Sequence, residues 1–163
     1  MNYRKISKCR ICKSGKIKKV LDLGDQAFTG KFPTSYKKNI SKSPLSISLC
    51  LKCKFVQLSH NFSSSYLYNQ EYGYESGINS TMKNHLFKIA QKVVELKKLT
   101  KSSIVVDIAS NDGTLLNSYN KDIIKVGIDP ILDKFKDKYQ KINHKVSDFF
   151  SYKNFKKLNL KKK

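Results

Sequence analysis

Two pairs of cysteines with the same spacing constrain this 163-residue chain more than any other feature. Cys9 and Cys12 form one CxxC pair, and Cys50 and Cys53 form the other. Because a tight turn presents both sulfurs of such a pair on one side, two pairs can close a tetrahedral zinc site. Sulfur would fill all four positions, so we predict a structural Zn²⁺ ion with no coordination position open for catalysis.

Two other uses of the cysteines are weaker. A disulfide pairing needs an oxidising compartment, and no apolar stretch follows the basic N-terminus as a secretory signal would require. A redox CxxC motif needs no second pair. The 37 residues between Cys12 and Cys50 exceed the usual spacing of a zinc ribbon, which predicts a looped-out insert. His60 is expected at the surface rather than as a fifth ligand.

Residues 1–60 are therefore predicted to be a zinc-binding module. Its apolar residues are few, and zinc binding of about 10–16 kcal/mol can hold such a module together. The residues available for its core are Val20, Leu21, Leu23, Phe28, Phe32, Leu45, Ile47, Leu49, Phe55, Val56 and Leu58.

The net charge of +21 suggests nucleic acid or an anionic surface as a partner. However, 31 of the 33 basic residues are lysine, whereas base readout favours arginine. The charge also lies at the ends of the chain, since residues 61–150 carry only +3 of it. A zinc-ribbon module that binds nucleic acid, or one that binds protein, is thus the alternative reading. No apolar run could span a membrane, and we expect a cytoplasmic protein.

Residues 61–79 are predicted to be an aromatic linker or lid, because four tyrosines fall within nine residues beside glycines. A helix is predicted over residues 80–99, capped by Ser80 or Thr81, with His85 partly exposed. Its apolar stripe has helical spacing and consists of Met82, Leu86, Ile89, Val93 and Leu96.

A strand, a turn of small residues and a helix start follow one another after this helix. The β-branched run over residues 103–109 predicts a buried parallel strand, and a second strand over residues 123–128 ends at Asp129. Asp129 follows Asp107 by 22 residues, where an acid can accept the ribose hydroxyls of an adenosine ligand. The turn has the pattern D-x-A-x-N-x-G, which suits S-adenosylmethionine (SAM) better than NAD. An ordinary strand–turn–helix is the alternative.

The ordered set of motifs resembles the zinc-domain-containing class I SAM-dependent methyltransferases, which include nucleotide-sugar C-methyltransferases of deoxysugar pathways. The matching segments are Cys9-x-x-Cys12, Val20-Leu21-Asp22-Leu23-Gly24, Pro44-Leu45, Cys50-x-x-Cys53-x-x-Val56-Gln57-Leu58, Tyr72-Gly73-Tyr74-Glu75-Ser76, the run from Val106 to Leu116, Gly127-Ile128-Asp129-Pro130 and Asp148-Phe149-Phe150.

The resemblance implies an α/β fold in which the zinc module precedes the N-terminal half of a Rossmann-like SAM-binding domain over residues 80–150. It implies a nucleotide-linked keto-deoxysugar as substrate, methylated at a carbon next to the ketone. Tyr72 and Tyr74 would lie near cofactor and substrate. The implied cofactor-binding residues are Asp107, Ala109, Ser110, Asn111, Asp112, Gly113 and Asp129. Ala109 replaces a glycine of the family, and its methyl group is expected to weaken SAM binding.

After Asp129 the sequence predicts one helix over residues 131–139 and one strand near residues 142–146, and so a sheet of three strands. The family's segment that supplies the catalytic base has no counterpart, and a lysine-rich tail over residues 151–163 follows. We therefore expect a truncated fragment, whose missing half another chain would have to supply for activity. An open sheet edge predicts poor solubility or oligomerisation.

Overall fold

The structure is a computed structural model that describes residues 3–28, 30, 32–33, 35–36 and 39–160. The last three lysines of the predicted tail lie outside these residues. The chain divides into two compact units, Met1–Gly73 and Tyr74–Lys163. Together they make a mixed α/β protein, and none of the described helices is long and apolar enough to cross a membrane.

The first unit contains two small antiparallel sheets. Its elements are β1 (Tyr3–Lys5), β2 (Ile17–Ala27), β3 (Lys42–Cys50), β4 (Val56–Leu58), β5 (His60–Phe62) and α1 (Ser64–Leu67). β1 pairs with β5, and β3 lies between β2 and β4 in a three-stranded sheet. The insert between the two cysteine pairs thus contains β2 and β3, whose pairing Ile17↔Cys50 returns the chain to its starting point.

The three-stranded sheet buries its polar face and exposes its apolar face. Cross-strand pairing puts Ser48 between Lys19 and Gln57 on one face, and the side chains of Ser48 and Gln57 are buried. On the opposite face, Ile47 lies between Leu21 and Leu58, which are 46% and 37% exposed.

The predicted core of the zinc module is therefore wrong for most of its residues. Phe28 is buried as predicted, and the β3 residues Leu45, Ile47 and Leu49 are half-buried. The exposed ones are Val20, Leu21, Leu23, Phe32, Phe55, Val56 and Leu58. The cause is the register of β3, because the alternate positions that turn inward carry serine.

The second unit is built on a parallel three-stranded sheet, as the sequence predicts. Its elements are α2 (Ser80–Lys97), β6 (Ile104–Ile108), α3 (Thr114–Asn117), β7 (Ile124–Ile128), a 3-10 helix (Leu132–Tyr139), β8 (His144–Val146) and α4 (Tyr152–Lys156). β7 lies in the centre and pairs with β6 and β8. The segment predicted as a helix after Asp129 is a 3-10 helix with a kink at Phe135, and the lysine-rich tail contains the short helix α4.

The helix α2 forms where it is predicted, but its cap and its buried face differ. Asn79 caps it, because its side chain accepts a 2.8 Å hydrogen bond from the Met82 N–H, so the prediction of Ser80 or Thr81 is wrong. Ala90 is the buried residue of the helix and packs with Tyr119 and Ile123.

The apolar stripe predicted for α2 is correct only in part. Val93 packs against the buried cluster around Ala90, whereas Ile89 is 37% exposed and Leu96 is 67% exposed. Counting only large apolar residues missed the small Ala90, which lets the helix approach its neighbours closely. His85 is exposed.

Candidate functional site

The four cysteines of the first unit converge on one point. Their Sγ atoms all lie within 4.8 Å of one another, although the two pairs are far apart in sequence. The Sγ atoms of Cys9 and Cys53 are 3.6 Å apart, and those of Cys12 and Cys50 are 3.5 Å apart. A tetrahedron with zinc–sulfur bonds of about 2.3 Å has edges of about 3.8 Å. The donor set and its spacing therefore fit a structural zinc ion.

Both cysteine pairs are shaped by the same local turn. The N–H of Lys13 donates to the carbonyl oxygen of Cys9, and the N–H of Lys54 donates to that of Cys50. Lys13 and Lys54 have left-handed backbone conformations, with φ of 60° and 63°. A non-glycine residue in this region carries strain. The left-handed conformation occurs at the equivalent position after both cysteine pairs. This repetition indicates that the turn serves to place two sulfurs on one side.

Hydrogen bonds from neighbouring segments hold the two turns together. The Gln57 side chain accepts from the Arg10 N–H at 2.9 Å and donates to the Lys8 carbonyl at 3.3 Å. The Leu51 N–H donates to the Lys16 carbonyl at 2.8 Å. Gln57 is buried and lies on β4, so the sheet itself positions the loop that carries Cys9.

The surroundings of Cys9, Cys50 and Cys53 shift the pKa values of their thiols in different directions. The backbone N–H of Cys53 points at Cys50 and lowers the pKa of that thiol to about 6. Burial raises the pKa of Cys9, but the N–H groups of Cys12 and Ile11 outweigh burial and lower it overall. For Cys53 the N–H of Phe55 lowers the pKa, yet burial and the three neighbouring sulfurs together raise it to about 11. The cluster thus favours partial negative charge, which a cation would neutralise.

Among the described residues, the group that could hold a metal consists of the four cysteines. His60 lies outside it, is partly exposed, and packs its ring edge-on against Tyr3.

In the second unit, β6 and β7 end side by side, at the pair Ile108↔Ile128. The turn that follows β6, residues 109–113, crosses the end of the sheet, and the N–H groups of Ala109 and Ser110 donate to the Ile128 carbonyl. Ala109, Asn111 and Gly113 have positive φ values of 62°, 49° and 75°. This alternation forms a tight turn, and it explains why the sequence carries small or amide side chains at these three positions.

Asp129, at the end of β7, organises this turn. Its buried carboxylate accepts the N–H of Asn111 at 2.8 Å and the N–H of Ile131 at 2.9 Å. Asp107 lies half-buried one strand away. Burial and the negative charge of Asp129 raise the pKa of Asp107 to about 6. Two carboxyl groups at one end of a sheet, one of them with a raised pKa, are typical of a polar binding site.

Asp112 anchors the other end of the turn. Its side chain is fully buried and accepts from the N–H and the hydroxyl of Thr114, which begins α3. Burial alone would raise the pKa of Asp112, but these hydrogen bonds and that from the Gly77 N–H lower it overall. The carboxylate is thus held in its ionised form inside the unit.

Residues 74–77, which we call the strap, bind over the turn. The Ser76 N–H donates to the Asn111 side-chain oxygen at 2.8 Å, and the Gly77 N–H donates to Asp112 at 3.0 Å. The Asn111 amide donates in return to the Tyr74 carbonyl at 3.1 Å. The sequence predicts a lid in this region, and the strap is the part of it that contacts the predicted cofactor turn.

Lys138 and Tyr139 support the turn and were not among the predicted site residues. Lys138 binds Glu75 of the strap at 2.7 Å and Asp112 at 3.3 Å. The hydroxyl of the fully buried Tyr139 donates to the Asn111 carbonyl at 2.8 Å and lies 2.7 Å from the Ser110 hydroxyl. Both follow Asp129 on the 3-10 helix, and only their position after the second strand hints at this role in the sequence.

The structure brings the predicted cofactor residues together, and it separates the two candidate tyrosines into different units. Tyr74 belongs to the strap, contacts the turn through its backbone and keeps a side chain that is 43% exposed. Tyr72 belongs to the first unit, where its ring packs on Tyr68 and crowds Gly30.

A comparison with protein families supports the zinc assignment. Residues 9–68 match the family model Methyltransf_13, described as a "Putative zinc binding domain". The matched range contains all four cysteines and links the chain to methyltransferases. No curated protein matches the chain significantly.

Proposed function

We propose that this chain is a SAM-dependent methyltransferase polypeptide, with a structural zinc module followed by the cofactor-binding part of a Rossmann-like domain. The observation that carries the proposal lies at the carboxyl ends of β6 and β7. There, Asp107, Asp129 and a turn with three positive φ values lie at one end of a parallel sheet. The methyltransferase-linked zinc domain in the same chain supports it.

The turn would hold the cofactor through groups that this chain already positions. Asp129 would accept the ribose hydroxyls with the lone pairs that its two backbone contacts leave open. Asp107 would face the positive end of SAM, which would favour its ionised form against the burial and the negative charge of Asp129 that raise its pKa. When bound, SAM supplies an electrophilic methyl group.

The substrate proposal, a nucleotide-linked keto-deoxysugar, rests on the sequence resemblance. Tyr74 is the better placed of the two tyrosines to contact substrate, because its side chain is exposed beside the turn. A cytoplasmic setting would keep the four thiols reduced and available to zinc.

Calorimetric titration of the zinc-loaded chain with S-adenosylhomocysteine tests the cofactor site. We expect saturable binding that Asp129→Asn weakens at least tenfold, because two hydroxyl contacts to a charged acceptor are lost. Asp137→Asn, which removes an exposed carboxylate elsewhere in the unit, is the matched control and should bind like the wild type. Binding that is unaffected by Asp129→Asn would contradict the proposed site.

The alternative of a nucleic-acid-binding module is distinguished by salt. Nucleic acid should bind with an affinity that falls steeply between 50 and 200 mM salt. S-adenosylhomocysteine carries no phosphate, so its affinity should change little over the same range. Strong DNA binding together with no detectable S-adenosylhomocysteine binding would favour the alternative.

A further inference from the structure

The first unit contains a cavity that the zinc site does not use and that has both apolar and hydroxyl-bearing walls. Its volume is about 450 Å³, enough for a small molecule. It opens between the buried face of the three-stranded sheet and the segment that continues β1. Its lining contains four serines, of which Ser46, Ser48 and Ser59 are buried and Ser7 is exposed.

A buried serine destabilises the folded protein unless its hydroxyl group has a hydrogen-bond partner. The hydroxyls of Ser48 and Ser59 form a hydrogen bond of 2.7 Å. One of the two hydroxyl hydrogens is donated in this bond, and the other remains available for a different acceptor. Ser46 lies two residues before Ser48 on the same face of β3 and brings a third hydroxyl to the lining. Apolar residues here would have stabilised so small a module better than serines do.

His60 provides an independent sign of a missing partner. It lines the same cavity, and its Nδ1 atom is buried without a hydrogen-bond partner among the described residues. A buried ring nitrogen without a partner is destabilising, because it loses its hydrogen bond to water on folding. Its ring packs edge-on against Tyr3 and lies beside Phe62.

The charges around the cavity select the kind of partner. Lys5 and Lys19 line it, and the one lining carboxylate, Asp22, is already bound by Lys19 at 2.5 Å and by the Gly24 N–H at 3.0 Å. The surrounding residues 1–60 carry 14 basic and 2 acidic residues. The lining therefore carries two lysines against one carboxylate, and its serine hydroxyls and the His60 imidazole can act as hydrogen-bond donors.

We propose that this cavity binds a tetrahedral oxyanion of the phosphate class, either free phosphate or the phosphoryl group of a small ester. Ser46 and the Ser48–Ser59 pair donate to its oxygens, His60 donates from Nδ1, and Lys5 supplies charge. The site lies within the first unit and does not depend on the cofactor turn, so it can fail or succeed independently of the proposed methyltransferase function.

The three histidines of the chain provide an internal control for the test. Nuclear magnetic resonance of their side-chain nitrogens is followed while inorganic phosphate, pyrophosphate or methyl phosphate is added to the zinc-loaded chain at constant ionic strength. We expect a saturable shift of His60, and none of His85 or His144, which do not line the cavity. A stronger response to methyl phosphate than to inorganic phosphate identifies an ester as the preferred source, and the reverse identifies free phosphate.

Two substitutions sharpen the result. Ser46→Ala should weaken binding at least fivefold with little change in volume, whereas Ser65→Ala, on an exposed serine of the same unit, should leave it unchanged. Lys5→Met is the second variant and Lys52→Met, outside the cavity, is its control. Equal shifts of all three histidines, or equal effects of the cavity and control variants, would show non-specific attraction to lysines and overturn the proposal.

Discussion

At the scale of single residues, Ala109 has a conformation that does not suit its side chain. Its φ of 62° lies in the left-handed region, where a Cβ atom costs about 1–2 kcal/mol. The first N–H of the turn nevertheless donates to Ile128 at 2.8 Å, so the sheet holds the residue there. The sequence marks this residue only as a departure from a glycine, and the backbone strain becomes visible only in the structure.

Ala109→Gly should stabilise the protein by about 1 kcal/mol, because it removes the strain at the cost of some backbone entropy. Urea denaturation measures the change. Ala90→Gly is the control, since the same replacement inside helix α2 should destabilise by about 1 kcal/mol or more. If Ala109→Gly also raises the affinity for S-adenosylhomocysteine, the methyl group crowds the ligand as the sequence predicts; unchanged stability would show that the turn relaxes without strain.

Asp107→Asn should stabilise the protein at neutral pH but not in acid. The pKa of Asp107 is about 6 in the folded state against an ordinary 3.8, so the folded state binds the extra proton and stability falls as pH rises from about 4 to 6. Removing the charge recovers roughly 1–2 kcal/mol at pH 7 after allowance for solvent screening. Denaturation curves at pH 4 and pH 7 measure the difference. The control Asp122→Asn, on an exposed residue, should show no such pH dependence; a gain at both pH values would refute the assignment.

At the scale of elements, the strap depends on the absence of a side chain at Gly77. A Cβ atom there would collide with the Thr114 hydroxyl and lie 2.8 Å from the Asp112 carboxylate. These atoms belong to the hydrogen-bond network that begins α3 and closes the turn. The strap and the turn therefore form one structural element, although they are 35 residues apart in sequence.

Gly77→Ala should detach the strap from the turn without unfolding the sheet. We expect amide hydrogen exchange at Ser76 and Gly77 to accelerate at least tenfold, while the amides of β7 keep their protection. Gly15→Ala is the matched control, because a Cβ atom at Gly15 meets no atom within 4 Å. Unchanged exchange in Gly77→Ala would mean that the side chains of Thr114 and Asp112 yield easily and that the strap is held by other contacts.

The elements also show where sequence reasoning succeeds. The strands β6 and β7 and the turn between them are predictable, because an apolar β-branched run followed by small residues has one main structural solution. The cysteine cluster is predictable from spacing alone. The sheet β2–β3–β4 is different, because alternation identifies two faces and does not say which one turns inward. Here Ser46 and Ser48 are inside, and the larger residues Leu21 and Val56 are outside.

At the scale of the whole molecule, we expect the first unit to depend on a bound zinc ion for its stability. Its sheet buries serines, so hydrophobic burial contributes little, and a structural zinc ion contributes an apparent 10–16 kcal/mol in small modules. Chelation should therefore unfold the first unit, and Cys50→Ser should have the same effect.

Elemental analysis should find one zinc per chain in the wild type, and two-dimensional nuclear magnetic resonance should show which residues lose their dispersion on chelation. The amides of β6, β7 and β8 serve as the internal control, because no cysteine ligand lies near these strands in sequence. Retention of dispersed signals from β2 and β3 after complete zinc removal would refute the dependence.

The separation of the two cysteine pairs has a consequence for the rate of folding. Ligands on either side of a 37-residue insert can meet only after the hairpin of β2 and β3 has brought Cys50 back beside Ile17, which is a loop closure with an entropy cost. A zinc ion bound early by one cysteine pair acquires its other two ligands only after that closure. At limiting metal, the refolding rate should therefore depend on the free zinc concentration. At saturating metal, formation of the hairpin should be rate-limiting. The time course of renaturation would thus report which of the two events comes last.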